Sequence, residues 1–217
     1  MSALFPVFID IKGKKCVVIG GGKVAERKIK TLLKYKARVI VISPEITEEI
    51  KKLVSSGKVN YIKKEYSKND IKDALLVVAA TSDTKINAQI VKDAKFLVNN
   101  VTKEALQLNS QGKHTKNIEY IVPAIFTKGD LTVAISTQFP SLSRVLRDEI
   151  KDVYGKDFAY FLKYLKKLRK DTKRKIKDSK IRQELFKKIT SKKIVSNLKQ
   201  YGFKKTKEEI DRIIDET

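Results

Sequence analysis

The chain has 217 residues, 41% of them hydrophobic, and 48 Lys+Arg against 25 Asp+Glu give a formal net charge of +23. That length holds one full domain and a smaller one, and the apolar fraction supports a real core. No apolar run approaches the roughly 20 residues of a membrane span, no signal-peptide pattern opens the sequence, and the lone Cys16 excludes an internal disulfide, so a cytoplasmic protein is expected.

The first hundred residues alternate short apolar runs with helical patterns. Residues 16–19, 38–42, 59–62, 75–79 and 96–98 read as strands buried on both faces. Between them, 24–35, 47–55, 67–73 and 85–93 carry apolar residues at helical spacing, with Thr47 and Ser67 as N-caps. Such alternation predicts an α/β fold with a doubly wound parallel sheet and helices on both faces.

The pattern then changes. Residues 119–126 and 131–136 flank Thr127-Lys128-Gly129-Asp130 and read as a hairpin. Pro140-Ser141 opens a helix reaching about Tyr154, with Gly155 as its C-cap. Everything from Phe158 onward reads as helical. Phe158, Phe161, Leu162, Leu165 and Leu168 form one apolar stripe, and Ile181, Leu185 and Ile189 another. Thr206 and Glu209 have capping-box spacing before Ile210. The expected organisation is a nucleotide-binding domain over 1–112, a hairpin-plus-helix segment over 113–153 and a basic helical domain over 154–217.

Gly20-Gly21-Gly22-Lys23-Val24-Ala25 follows the first strand and opens the first helix, in G-x-G-x-x-A spacing. Gly20 permits the tight turn, Gly22 lets the backbone approach phosphates, and Ala25 keeps helix and strand close. The free N–H groups and positive dipole end of that helix then face a dinucleotide pyrophosphate. The second strand ends Ser43-Pro44-Glu45, near where an acid commonly binds a ribose 2′-hydroxyl; Glu45 stands slightly late for this, and Ser43 or backbone groups are the alternative. Lys36 and Arg38 lie at its other end, so NAD is expected rather than NADP. The fourth strand ends Thr81-Ser82-Asp83, at the carboxyl edge that lines a ligand crevice; Asp83 also suits N-capping of the next helix.

The charge implies affinity for something acidic (nucleic acid, an anionic membrane surface or a polyanionic small molecule), with solubility or a hot habitat as the alternative source of abundant lysine. Residues 151–217 carry 22 of the basic and 10 of the acidic side chains, so positive charge is densest in the tail. The runs 166–170 and 173–175 read as a solvated helix face, since an apolar stripe crosses them and no aromatic platform accompanies them. A second class of function is a nucleotide-sensing protein with a basic, nucleic-acid-binding tail. No His/Cys/carboxylate set has metal-site spacing.

The ordered set Pro6-Val7-Phe8, Gly20 to Lys28, Ser43-Pro44-Glu45, Ala80 to Asp83 with Asn87, Leu97-Val98-Asn99, Val122-Pro123-Ala124 and Val133 to Arg147 resembles the precorrin-2 dehydrogenase family, the stand-alone siroheme-synthase module. Some members also act as sirohydrochlorin ferrochelatases. The resemblance covers about residues 4–154. It implies a Rossmann-like domain, a homodimerisation segment, and oxidation of precorrin-2 to sirohydrochlorin with NAD. Carried onto matching positions, it implies cofactor contacts at Gly22, Lys23, Val24, Pro44, Glu45 and Thr81. Substrate contacts are expected at Asn99, Asn100, Ser136 and Arg144. The substrate's eight carboxylates are a physical partner for the positive charge.

Two departures from the family pattern stand out. Thr102 occupies the position of an aspartate implicated as the acid/base group, and threonine cannot perform carboxylate chemistry. The stretch 136–140 is short and lacks the usual glycines. Thr102, Glu104, His114 and Ser136 are the catalytic candidates. Hydride transfer depends on the cofactor, whereas metal insertion needs proton acceptors, so the loss leaves the chelatase half unassigned. A non-catalytic family member is a further alternative.

Overall fold

The computed structural model describes residues 4–101, 118–137 and 139–216. The apolar run after Lys14 forms β1 (Lys15–Ile19), whose residues point alternately to two cores. Around it assemble β2 (Arg38–Ile42), β3 (Asn60–Ile62), β4 (Leu76–Ala79), β5 (Leu97–Asn100) and β6 (Ile118–Glu119) in the order β3-β2-β1-β4-β5-β6. Every pairing is parallel; Val17 faces Ile40 on one side and Val77 on the other. The order reverses at β1, where β2 lies to one side and β4 to the other. That reversal opens a crevice at the strands' carboxyl ends.

Helices cover both faces, as the strand–helix alternation predicts. On one face α1 (Lys23–Lys34) and α2 (Glu48–Ser55) pack Ala25, Ile29, Leu32 and Ile50 against Cys16, Val18, Val41 and Val78. On the other, α3 (Thr84–Asp93) and a 3-10 turn (Lys68–Ile71) pack Ile90 and Ile71 against Val17, Ile19, Val77 and Val98. Fully burying a side chain such as Ile29 or Ile90 contributes roughly 1.5–3 kcal/mol. The N-caps at Thr47 and Ser67 form as expected: Thr47 Oγ1 accepts from Ile50 N, and the Asp70 carboxylate accepts from Ser67 N at 2.7 Å.

The chain divides into two units, Met1–Ile121 and Val122–Thr217. The second opens with an antiparallel hairpin, β7 (Ala124–Lys128) and β8 (Leu131–Ile135), on which α4 (Pro140–Val153) packs. Then follow α5 (Lys156–Lys175), α6 (Ser179–Ile189) and α7 (Lys192–Asp215), which share a core of Phe158, Phe161, Leu185, Ile189, Ile194, Leu198 and Ile210.

Four local expectations change. The strand expected over 119–126 is two: Ile118 and Glu119 pair with β5, and β7 starts only at Ala124. Pro123, which has no N–H to donate, stands in the break. Tyr154 is the C-cap of α4, and Gly155 is the N-cap of α5. Ile181 is 45% exposed, because it sits in the first turn of α6 before the helix reaches the core. The capping box expected at Thr206 does not form. The backbone breaks four residues earlier at Gly202 (φ +76°); Thr206 Oγ1 donates to the Gly202 carbonyl, and Glu209 accepts from Asn197.

Candidate functional site

The β1–α1 turn is pinned from both flanks. Gly20 N donates to Ile42 O at 2.9 Å, Ala80 N donates to Ile19 O at 2.8 Å, and Thr47 N donates to Gly21 O at 3.0 Å. The ends of β1, β2 and β4 therefore meet at these glycines. Gly20 has φ +114°, and a Cβ there would lie 2.2 Å from Ala80 O. A Cβ on Gly21 would lie 1.9 Å from Glu45 O. Gly22 differs: its Cβ would meet nothing within 4 Å. The first two glycines let three backbones pack together, and the third leaves open space in front of a helix start.

That helix start is α1. Its N-cap is Gly22 and no side chain caps it, whereas Thr47 caps α2 and Asp83 caps α3. An uncapped first turn leaves N–H groups and the positive dipole end for an anion. Lys23 and Val24, expected as cofactor contacts, are exposed in that turn.

The space before it is a cleft of about 520 Å³, lined by Gly20–Gly22, Ser43–Thr47, Lys64–Tyr66 and Thr81–Asp83. Ser43 is buried, while Pro44 and Glu45 are exposed at its rim. Tyr61 Oη fixes this stretch by donating to Ser43 O at 2.9 Å. The carboxylate of Asp83 caps α3, with its Oδ1 2.7 Å from Lys85 N and 3.2 Å from Ile86 N. Asp83 thus both lines the cleft and starts a helix, as one residue in that position can.

Several residues in or behind the cleft have roles that the motif spacing does not show. Gly21 stands in an "any residue" position of the spacing, yet it makes the closest backbone approach. Glu26, 9% exposed, accepts from Lys30 at 2.8 Å and from Thr47 at 3.0 Å, tying α1 to the loop after β2. The Lys30 ammonium, helped by Thr47 and Lys23, lowers the Glu26 carboxyl below its ordinary value. Lys64, Glu65 and Tyr66 arrive from the segment after β3. Lys64 pairs with Asp70, and Tyr66 donates to Asp93 at 3.0 Å; burial and that carboxylate push the phenol up, so it stays protonated. Asn87 is fully buried behind Thr81. Asn87 is one of the residues that carry the family resemblance in the sequence.

The expected substrate residues divide between the two units. Asn99 is buried in β5, donates to Tyr120 O at 2.9 Å, and has an Oδ1 without a partner among the described residues. Asn100 is half-buried opposite Ala79. Ser136 and Arg144 belong to the second unit, both exposed, with Arg144 Nε donating to Pro140 O at 3.2 Å. Thr102, Glu104 and His114 lie outside the described residues. No group of three or more His, Cys, Asp or Glu placed to hold a metal occurs among the described residues. No helix among them is long and apolar enough to cross a membrane.

Comparison with known proteins extends the geometry. A family model described as "Putative NAD(P)-binding" matches residues 7–108, which span the whole cleft. A solved structure titled "SirC, precorrin-2 dehydrogenase" superposes with a TM-score of 0.71 and 25% identity, covering 96% of this chain and 100% of that one. The chain is similar in sequence and fold to the precorrin-2 dehydrogenase and siroheme synthase family. Within that family, "Precorrin-2 dehydrogenase" of Priestia megaterium is 27% identical over 75% of this chain and 77% of its own length. "Siroheme synthase" of Blochmanniella pennsylvanica is 29% identical over 85% of this chain, but the match spans only 37% of that longer protein.

Proposed function

We propose that the chain oxidises precorrin-2 to sirohydrochlorin, with NAD as hydride acceptor. The observation that carries the reading is the cleft at Gly20–Gly22, where an uncapped helix start faces open space at the sheet's reversal point. In this reading Gly22, Lys23 and Val24 hold the pyrophosphate through backbone N–H groups. Ser43, Pro44 and Glu45 form the ribose end, with Glu45 accepting from the sugar hydroxyls. Thr81 and Asp83 wall the opposite side. Bound NAD supplies the redox chemistry; the residues supply grip, orientation and exclusion of water.

The substrate's carboxylates account for the basic surface by steering. Asn99, Asn100, Ser136 and Arg144 are the proposed substrate contacts. The likeness to named dehydrogenases favours this enzyme over the nucleotide-sensing alternative. A cytoplasmic homodimer is part of the same proposal. Phe139, Leu142 and Val145 leave an exposed apolar stripe on and just before α4, which a second copy would cover. Thr102, in place of the family's aspartate, removes a proton acceptor that metal insertion needs, so the proposed activity is the dehydrogenase alone.

The test is anaerobic incubation of the purified protein with precorrin-2 and NAD, with and without Fe²⁺ or Co²⁺. NADH formation together with the sirohydrochlorin spectrum supports the proposal, as does the absence of metal-dependent turnover. NAD binding without turnover would instead identify a non-catalytic member.

A further inference from the structure

The helical unit carries a second cavity that the proposed activity does not use. It lies between α5 and α6, measures about 500 Å³, and is lined by Arg169, Thr172 and Lys173 of α5 and by Ser179, Arg182, Gln183 and Phe186 of α6. That volume falls within the range of small-molecule sites, roughly 300–1,000 Å³. Three of its side chains are cationic, three are neutral hydrogen-bonding groups, one is apolar, and none is acidic.

Two of the nearby acids, Asp178 and Glu184, are engaged elsewhere. The Asp178 carboxylate caps α6, accepting from Lys180 N at 2.7 Å, and Glu184 pairs with Lys187 at 2.8 Å. Arg182 is held rigidly, its Nη1 donating to Ile176 O at 2.6 Å and to Lys177 O at 2.7 Å. Arg169 and Lys173 make no ion pair among the described residues. They stand at i and i+4 on one helix face, where like charges repel. An anion between them relieves that repulsion, and a guanidinium offers a planar fork for a carboxylate or phosphate.

We propose that the α5–α6 cavity is a binding site for a small polyanion bearing carboxylate or phosphate groups. Arg169 and Lys173 supply the charge, Ser179 and Gln183 supply neutral donors, and Phe186 supplies an apolar wall. The site is contained in the helical unit and does not rest on the dehydrogenase reading.

The test titrates the full chain, with NAD saturating so that the glycine turn is not competing, with pyrophosphate and separately with citrate at low ionic strength. Calorimetry should show saturable binding of at least one probe, and the tighter probe distinguishes a phosphate from a carboxylate ligand. The R169Q/K173Q variant should bind at least tenfold more weakly. K163Q/K167Q removes the same charge from exposed positions of α5 outside the cavity and should bind within twofold of the unaltered chain. Equal weakening in both pairs, or no saturable binding, overturns the proposal. Amide chemical-shift mapping gives a readout independent of variants. Shifts centred on Thr172, Ser179 and Gln183 support the site, and shifts centred elsewhere overturn it.

Discussion

Asn87 holds Thr81 in place through one buried amide. Its Nδ2 donates to Thr81 O at 3.0 Å, and its Oδ1 accepts from Thr81 N at 3.1 Å and lies 2.8 Å from Thr81 Oγ1. Thr81 follows β4 and forms a wall of the cleft, so a residue outside the cleft lining sets that wall. Asn87→Ala leaves Thr81's backbone groups without these partners and should destabilise the protein by about 1–3 kcal/mol. NAD affinity should fall as well. Asn87→Asp keeps the acceptor and loses the donor, and should fall between the two. Denaturant unfolding and NADH fluorescence titration check both effects; unchanged affinity in Asn87→Ala would separate Thr81 from the cofactor.

Glu26 predicts an acid-sensitive joint. Its folded pKa lies below the ordinary 4.5, chiefly through Lys30. A carboxyl depressed on folding contributes stability above its unfolded value and loses it as pH falls through the folded one, because the unfolded chain binds more protons there. Glu26→Gln should therefore be less stable than the unaltered chain at neutral pH. The gap should close as pH falls through the folded value, below which the carboxyl is protonated in both states. Denaturant midpoints across that pH range measure this, and a gap independent of pH would sink it.

The strands were legible in the sequence because each buried strand repeats a local signal, a β-branched run between polar residues. The turn at Gly20–Gly22 was legible because its chemistry is carried by adjacent residues. What escaped depends on distant neighbours. The importance of Gly21 follows from where Glu45 sits, and the division of 118–126 follows from Ile118 reaching Phe96 and Leu97. Lys64, Glu65 and Tyr66 enter the cleft only because β3 lies beside β2. Gly155 carries a helix-terminus signal in either direction, and only the following helix shows which end it serves.

Cys16 is fully buried in β1, and burial pushes its thiol up to about 11. At neutral pH it is a packed, protonated group, and only about one part in 10⁴ is thiolate. A thiol reagent such as an aromatic disulfide should label the native chain only through opening of the sheet, at a rate that rises with denaturant. Cys16→Ser places a hydroxyl in an apolar site and should cost about 1–3 kcal/mol. Rapid stoichiometric labelling of the native protein would contradict this placement.

The three glycines of the β1–α1 turn should separate folding from binding. Gly20→Ala combines a left-handed φ with a Cβ 2.2 Å from Ala80 O, and Gly21→Ala drives a Cβ to 1.9 Å from Glu45 O. Both contacts are with backbone that cannot swing away, so each variant should lose roughly 1–3 kcal/mol of stability. Gly22→Ala meets no atom within 4 Å and keeps an ordinary φ of −83°. Losing glycine at an N-cap costs a few tenths of a kcal/mol, and the stiffer unfolded chain returns about 0.4–1 kcal/mol, so stability should hardly move. Its methyl group instead enters the open space where the proposed pyrophosphate would lie. NADH titration should therefore show at least a tenfold weaker complex for Gly22→Ala, in a protein whose denaturant midpoint matches the unaltered chain. A Gly22→Ala variant that binds NADH normally would remove the pyrophosphate from this turn, and the dinucleotide cleft with it.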